Sequence, residues 1–166
     1  IALSCEPKLL IADEATTALD VTIQAQILEL MKNLTSQLGT ALMIITHNLG
    51  IIARYADRLN VMYAGKIRES GNAEQVYLRP RHPYTVGLLN SVPRLDRPAT
   101  ERLDPIEGEI PDPGNLPSGC AFKPRCRWAT VECELTEPVL EQVEGRQMVA
   151  CFESKTVSDS VGIALQ

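Results

Sequence analysis

No apolar run in this 166-residue chain approaches the roughly 20 residues needed to span a bilayer. Ile1-Ala2-Leu3-Ser4-Cys5 also lacks the charged start and cleavage region of a signal peptide. A membrane role would therefore need partner subunits. Basic residues do not predominate: 16 Lys and Arg stand against 21 Asp and Glu, a formal charge of −5, which argues against a general nucleic-acid-binding surface. No internal repeat or low-complexity block is present, and no G-x-x-x-x-G-K-S/T phosphate loop. Gly65-Lys66 lacks both the earlier glycine and the following hydroxyl residue. An initial Met is missing as well, and residues 1–7 read as the end of a helix running into a turn. We expect a larger domain whose remainder lies on the amino side. What is present, 45% hydrophobic residues, suffices for one core plus an appendage.

Residues 9–12 are apolar and lead directly into Asp13 and Glu14, the pattern of a strand buried on both faces with carboxylates at its exposed end. Ile23, Ile27, Leu30, Met31, Leu34 and Leu38 then recur at three- and four-residue steps before Gly39, which predicts a helix over roughly 21–38 with a glycine C-cap. A second buried strand, 41–46, ends at His47, and 49–56 offers another helix. Strand, helix, strand, helix implies a parallel sheet. After Arg58 the pattern shortens to a hairpin, 59–64 and 66–69 around Gly65, at the sheet edge. Asn72 is placed to cap a short helix through Leu78, and Pro83 to open another carrying Val86, Leu88 and Leu89. The core is expected to end near Ser91. Six of the eleven prolines fall between 93 and 117, an extended connection with a short strand at 106–110. Residues 118–152 hold four of the five cysteines, and 153–166 reads as a disordered tail.

Sheets of this kind place their chemistry at strand carboxyl ends, so adjacent parallel strands would bring Asp13, Glu14 and His47 to one edge. One carboxylate there suits coordination of a Mg²⁺ that bridges phosphates, and the next suits orientation of an attacking water. An imidazole can donate to a phosphate oxygen as charge develops.

Leu9-Leu10-Ile11-Ala12-Asp13-Glu14, Thr16-Thr17-Ala18-Leu19-Asp20 and Ile44-Ile45-Thr46-His47-Asn48 resemble, in order and spacing, the Walker B, D-loop and switch-histidine segments of ABC-type ATPases. The resemblance implies an α/β fold: the carboxyl-terminal part of a RecA-like ABC ATPase core over 1–91, then a proline- and cysteine-rich extension over 92–152. It further implies ATP and Mg²⁺ as ligands. Asp13 would hold Mg²⁺, Glu14 would act as general base, Asp20 would lie in the loop crossing to a second ATPase subunit, and His47 would meet the γ-phosphate. Ala15 departs from the family's usual proline, relaxing the turn without removing a reacting group. No LSGGQ-type signature loop occurs, so the chain alone is expected to hydrolyse ATP negligibly.

Arg79-Pro80-Arg81-His82-Pro83-Tyr84-Thr85, continuing to Pro93, resembles the carboxyl-terminal signature of dipeptide and oligopeptide importer ATPases. Local packing explains His82 and Tyr84 equally well, and His82 is given no catalytic role. Cys120, Cys126, Cys133 and Cys151 are spaced x5, x6 and x17. Four thiolates without a histidine suit an iron–sulfur cluster or an all-cysteine zinc site, while unligated or oxidised thiols are the third alternative. Zinc sites usually show a close C-x2–4-C pair, absent here. The wide spacing fits a cluster that organises a poorly packed segment, and resemblance to importer ATPases carrying this loop points to 4Fe-4S. Cys5 is expected to be a buried apolar residue, and Trp128 to pack on the cluster or the main domain.

The family resemblance implies an importer motor at the cytoplasmic face of the inner membrane. Its partners would be a second ATPase subunit, two membrane permease subunits and, indirectly, a substrate-binding protein, with no nucleic acid. The alternatives are a non-transport ABC ATPase acting on nucleic acid or in translation, and a metal-binding regulatory domain.

Overall fold

A computed structural model describes residues 2–16, 19–92 and 105–162. The chain divides after Tyr55 into two units.

The first unit runs from a 3-10 turn, Ala2–Cys5, through β1 (Leu9–Asp13), α1 (Val21–Leu38) and β2 (Ala41–Ile45) to α2 (Leu49–Tyr55). β1 and β2 pair in parallel, Leu9 with Ala41 through Asp13 with Ile45. The crossover helix α1 has the expected limits because both ends carry a stop signal. Asp20 accepts from the Thr22 and Ile23 amides, and Gly39 takes the left-handed conformation (φ 64°) that lets its amide reach the Ser36 and Thr35 carbonyls. Thr40 Oγ1 then donates to the Pro7 carbonyl and the Ala41 amide to Lys8, fixing where β2 starts against β1.

Two expectations fail in this unit. The strands are not buried on both faces: Ala12 and Leu28 are interior, but Ile11 is 55% exposed and Leu9, Met43 and Ile45 are open as well. Among the described residues α1 packs on the two-stranded sheet, covering part of β2. Cys5 is exposed rather than buried, since its turn buries no residue.

The second unit is built on a four-stranded antiparallel sheet of order β3-β4-β6-β5, with β3 Arg58–Tyr63, β4 Lys66–Asn72, β5 Glu141–Glu144 and β6 Gln147–Val149. The β3–β4 hairpin turns through Ala64 and Gly65, both at positive φ (50° and 75°), as a two-residue hairpin loop requires. Rather than edging the parallel sheet, this hairpin joins a second hairpin from the carboxyl-terminal region, with Glu69 opposite Val149 and Ser70 opposite Met148. α3 (Ala73–Leu78) is capped by Asn72 as expected, and Pro83 opens α4 (Pro83–Asn90). Short helical turns follow at Lys123–Arg125 and α5 (Glu132–Leu135). The strand expected at 106–110 does not form. Instead, Arg125 bonds the Glu107 and Ile106 carbonyls and holds that stretch in irregular conformation.

The tail expected to be disordered is helical over α6 (Ser154–Gly162), with Val157 fully buried and the helix packed against α4. The core of this unit joins Tyr63, Cys120, Ala121, Phe122 and Cys133, with Tyr84, Ile106, Cys126 and Phe152 against it. Tyr63 lies edge-on to Phe122 at 5.1 Å between ring centroids and 4.7 Å from Tyr84, separations favourable for aromatic pairs.

Candidate functional site

The parallel register sets the first unit's chemistry. Asp13 is level with Ile45, and the Glu14 amide still donates to the Ile45 carbonyl over 3.0 Å. Its φ of 45° is an unfavourable backbone state for a residue with a Cβ, and it accompanies the chain's turn out of the strand. On the neighbouring strand, Thr46 Oγ1 accepts from the Asn48 amide and Asn48 Oδ1 from Gly50, a turn that starts α2 and sets His47 at the edge.

The two side chains meet: His47 Nδ1 lies 3.0 Å from Glu14 Oε1. Both are open to solvent, at 72% for His47 and 52% for Glu14. With the carboxylate as acceptor, Nδ1 is the ring nitrogen that carries hydrogen, leaving Nε2 for a ligand. Asp13 stands one position earlier and is also exposed.

Asp20 is turned to a different task, because its carboxylate accepts from the Thr22 and Ile23 amides as the α1 cap. At the other end of the same loop, buried Thr16 accepts from Gln24 Nε2 over 2.8 Å. The first turns of α1 thus hold both ends of the segment leaving the carboxylates. Thr17 and Ala18, part of the expected D-loop, lie outside the described residues.

In the second unit, Cys120 and Cys133 are buried, Cys126 and Cys151 partly so, and all four are free thiols. Cys120 and Cys133 belong to the aromatic core, Cys126 packs against it, and the Cys120 amide donates to the Cys133 carbonyl over 2.8 Å. Burial pushes the Cys120 thiol up, Cys126 up to about 11 and Cys151 up to about 12, with neighbouring thiols of the set adding to each shift. Cys120, Cys126 and Cys133 thus meet at one aromatic core, against which Phe152, the neighbour of Cys151, also packs. Among the described residues, however, no three His, Cys, Asp or Glu side chains are grouped so as to hold a metal ion. The expected ligand set of Cys120, Cys126, Cys133 and Cys151 is not grouped as a metal site, and the iron–sulfur expectation gains no support from the structure. Nor is the segment poorly packed, since Phe122, Tyr63 and Tyr84 fill it. Trp128 is half-buried and carries the Arg127 guanidinium 3.9 Å from its ring centroid.

His82 is 1% exposed, and its Nδ1 accepts from the Tyr84 amide to cap α4. Burial, reinforced by Arg68, lowers its pKa to about 3. A neutral, enclosed cap is a structural part, as the sequence suggested.

Sequence reasoning missed the polar residues beside it. Glu69, with no exposed surface, accepts from the Arg81 and His82 amides and from Gln147 Nε2. Arg68, its side chain 2% exposed, donates to Glu137 Oε1 and the Tyr63 carbonyl. A charged pair in a short strand ordinarily reads as a solvated edge, so only the later pairing of β4 with β6 reveals its burial.

Comparison with known proteins follows this division. Residues 68–133 match the family described as the oligopeptide/dipeptide transporter, C-terminal region. The chain is 51% identical over 152 residues to the oligopeptide transport ATP-binding protein AppD of Bacillus subtilis, covering 92% of this chain and 46% of that protein. It is thus similar to the ATP-binding proteins of peptide importers. A putative peptide import ATP-binding protein of Brucella ovis is 50% identical over 163 residues, covering 95% of this chain and 48% of its own length. The oligopeptide transport ATP-binding protein OppD of Haemophilus influenzae is 48% identical over 154 residues, covering 93% and 47%. The chain thus spans about half the length of these curated relatives. Similarity to the peptide-import ATP-binding proteins takes in both units. The matched C-terminal region includes His82, Tyr84 and three of the four cysteines, ending at Cys133. Among the described residues no helix is long and apolar enough to cross a membrane.

Proposed function

We propose that this chain is part of the ATP-hydrolysing subunit of an ABC importer for dipeptides or oligopeptides. The observation that carries the reading is the meeting of Glu14 and His47 at the carboxyl edge of two parallel strands, on a chain about half identical to peptide-import ATP-binding proteins. In that role Glu14 orients the attacking water and takes up its proton, while His47, held through Nδ1, directs Nε2 toward the γ-phosphate. Asp13 is the residue to hold Mg²⁺, which when bound neutralises phosphate charge. Asp20 shapes the loop that faces a second ATPase subunit. The uncovered apolar side chains of β1 and β2 suit a larger α/β core, because parallel sheets are normally covered on both faces.

Residues 1–91 are assigned to the ATPase core and 92–152 to the importer-specific extension. The whole protein would work at the cytoplasmic face of the inner membrane with two permease subunits and, indirectly, a substrate-binding protein. Without phosphate and signature loops this chain alone would turn over negligible ATP. In the complete protein, Glu14→Gln should retain ATP binding and lower turnover by about a hundredfold or more. Undiminished turnover removes the role given to Glu14.

For the cysteines, the finer proposal is a 4Fe-4S cluster rather than zinc, resting on four free thiols, three of them at one aromatic core, and no close C-x2–4-C pair. Anaerobically purified protein should be brown and lose that colour in Cys126→Ser. Colourless, iron-free protein counts against it.

A further inference from the structure

Small domains that depend on a metal for folding have little else to hold them together, and their binding energy is their folding energy. The four-cysteine segment is built differently. We infer that it folds on its apolar and hydrogen-bonded framework without a metal, so that any ion or cluster is taken up by a scaffold already in place.

Each cysteine has an anchor close by that uses no sulfur. At Cys120, the backbone amide donates to the Cys133 carbonyl. Gly119 beside it lets the two strands of chain approach so closely that an added Cβ would lie 2.3 Å from the Cys133 carbonyl oxygen and 2.6 Å from that of Glu134. Phe122, two residues on, is 3% exposed against Tyr63 and Tyr84. Next to Cys126, Arg125 donates to the carbonyls of Ile106 and Glu107 and to the Tyr63 hydroxyl. The chain beyond Cys133 is tied back by Glu137, which takes both Lys66 and Arg68. Before Cys151, the Ala150 amide donates to the Arg68 carbonyl over 2.8 Å, continuing the attachment of β6 to β4.

Together these contacts enclose a full aromatic side chain, satisfy a buried guanidinium and extend a sheet. Truncating one buried phenylalanine in such a setting removes a large share of a small domain's stability, so this framework carries weight of its own.

The test is amide hydrogen exchange at Cys120 and Ala150 in the whole chain, purified in reductant and chelator and shown by elemental analysis to carry no iron or zinc. Both amides should be protected about a hundredfold or more over the unstructured rate. The double variant Cys126→Ser with Cys151→Ser, which breaks any four-cysteine ligand set, should stay within about threefold of metal-free wild type. If that variant fails to fold, the alanine pair at the same positions makes the comparison without adding buried hydroxyls. Phe122→Ala should lose on the order of a hundredfold. The inference is overturned if metal-free wild type exchanges at the unstructured rate and gains protection on adding Zn²⁺, or ferrous iron with sulfide. Its failure is distinct from failure of the ATPase reading, which is decided by turnover in Glu14→Gln.

Discussion

Gln147 of β6 donates Nε2 to Oε1 of Glu69 over 2.7 Å, although 78 positions separate them. The same carboxylate accepts the Arg81 amide on Oε1 and the His82 amide on Oε2. Three donors on two oxygens leave no place for an amide nitrogen. Glu69→Gln should therefore turn an N–H toward an N–H and destabilise the second unit by about 2–3 kcal/mol, read from the urea midpoint. Gln147→Glu should also destabilise, by placing two carboxylates together. A Glu69→Gln variant as stable as wild type would mean the carboxylate is not what holds the His82 turn.

The stability of this unit should fall with acid, starting above the usual carboxylate range. His82 is lowered from 6.5 to about 3 by burial, so between those values the unfolded chain binds the proton that the folded one refuses. Stability from His82 is complete above 6.5 and declines toward 3, by up to roughly 5 kcal/mol at about 1.4 kcal/mol per unit. Glu137, lowered chiefly by its bond to Lys66, adds a loss below the unfolded carboxylate value. Glu69 opposes both: burial raises it, so its contribution is fully present below the unfolded carboxylate value and is lost as pH rises. His82→Asn keeps a capping oxygen for the Tyr84 amide but cannot titrate. Its unfolding free energy should lose the downward acid slope that His82 gives wild type between about pH 6.5 and 5, leaving only the opposing slope from Glu69. Parallel slopes in the two proteins would discard His82 as the source.

Asp20 is both a proposed interface residue and the cap of α1. Asp20→Ala should cost about 1 kcal/mol in the first unit and increase amide exchange at Thr22 and Ile23. Asp20→Asn should recover most of that. Equal losses in the two variants would show that charge, not the capping bond, is what Asp20 supplies.

Much of the first unit was legible because its signals are local. α1 repeats apolar residues at helical steps between an acidic cap and Gly39, and the strand–helix–strand order fixes the pairing that brings Glu14 to His47. The exposure of Ile11 and Met43 was not legible, since an apolar run has the same composition whether or not anything covers it. In the second unit, Asn72 and Pro83 announced their helices, but β5 and β6 did not. Glu141–Glu144 has little strand character, and β6 is short and owes its place to Glu69 and Ser70 across the sheet. The same distance in sequence hid the burial of Arg68 and Glu69. For α6, nine mostly polar residues conceal one interior contact, Val157.

The pairing of β6 with β4 also sets an order of events. When a ribosome has just made Arg68 and Glu69, their partners Glu137, Gln147 and Ala150 do not yet exist. The hairpin of β3 and β4 can close at once, its contacts being local, but its outer strand waits with a charged pair in solvent until some 80 further residues emerge. Long-range closure of this kind is the slow step in folding. During that interval β4 is an open edge, and Lys66, Arg68 and Glu69, charged residues that later become its internal ties, keep it from recruiting another chain.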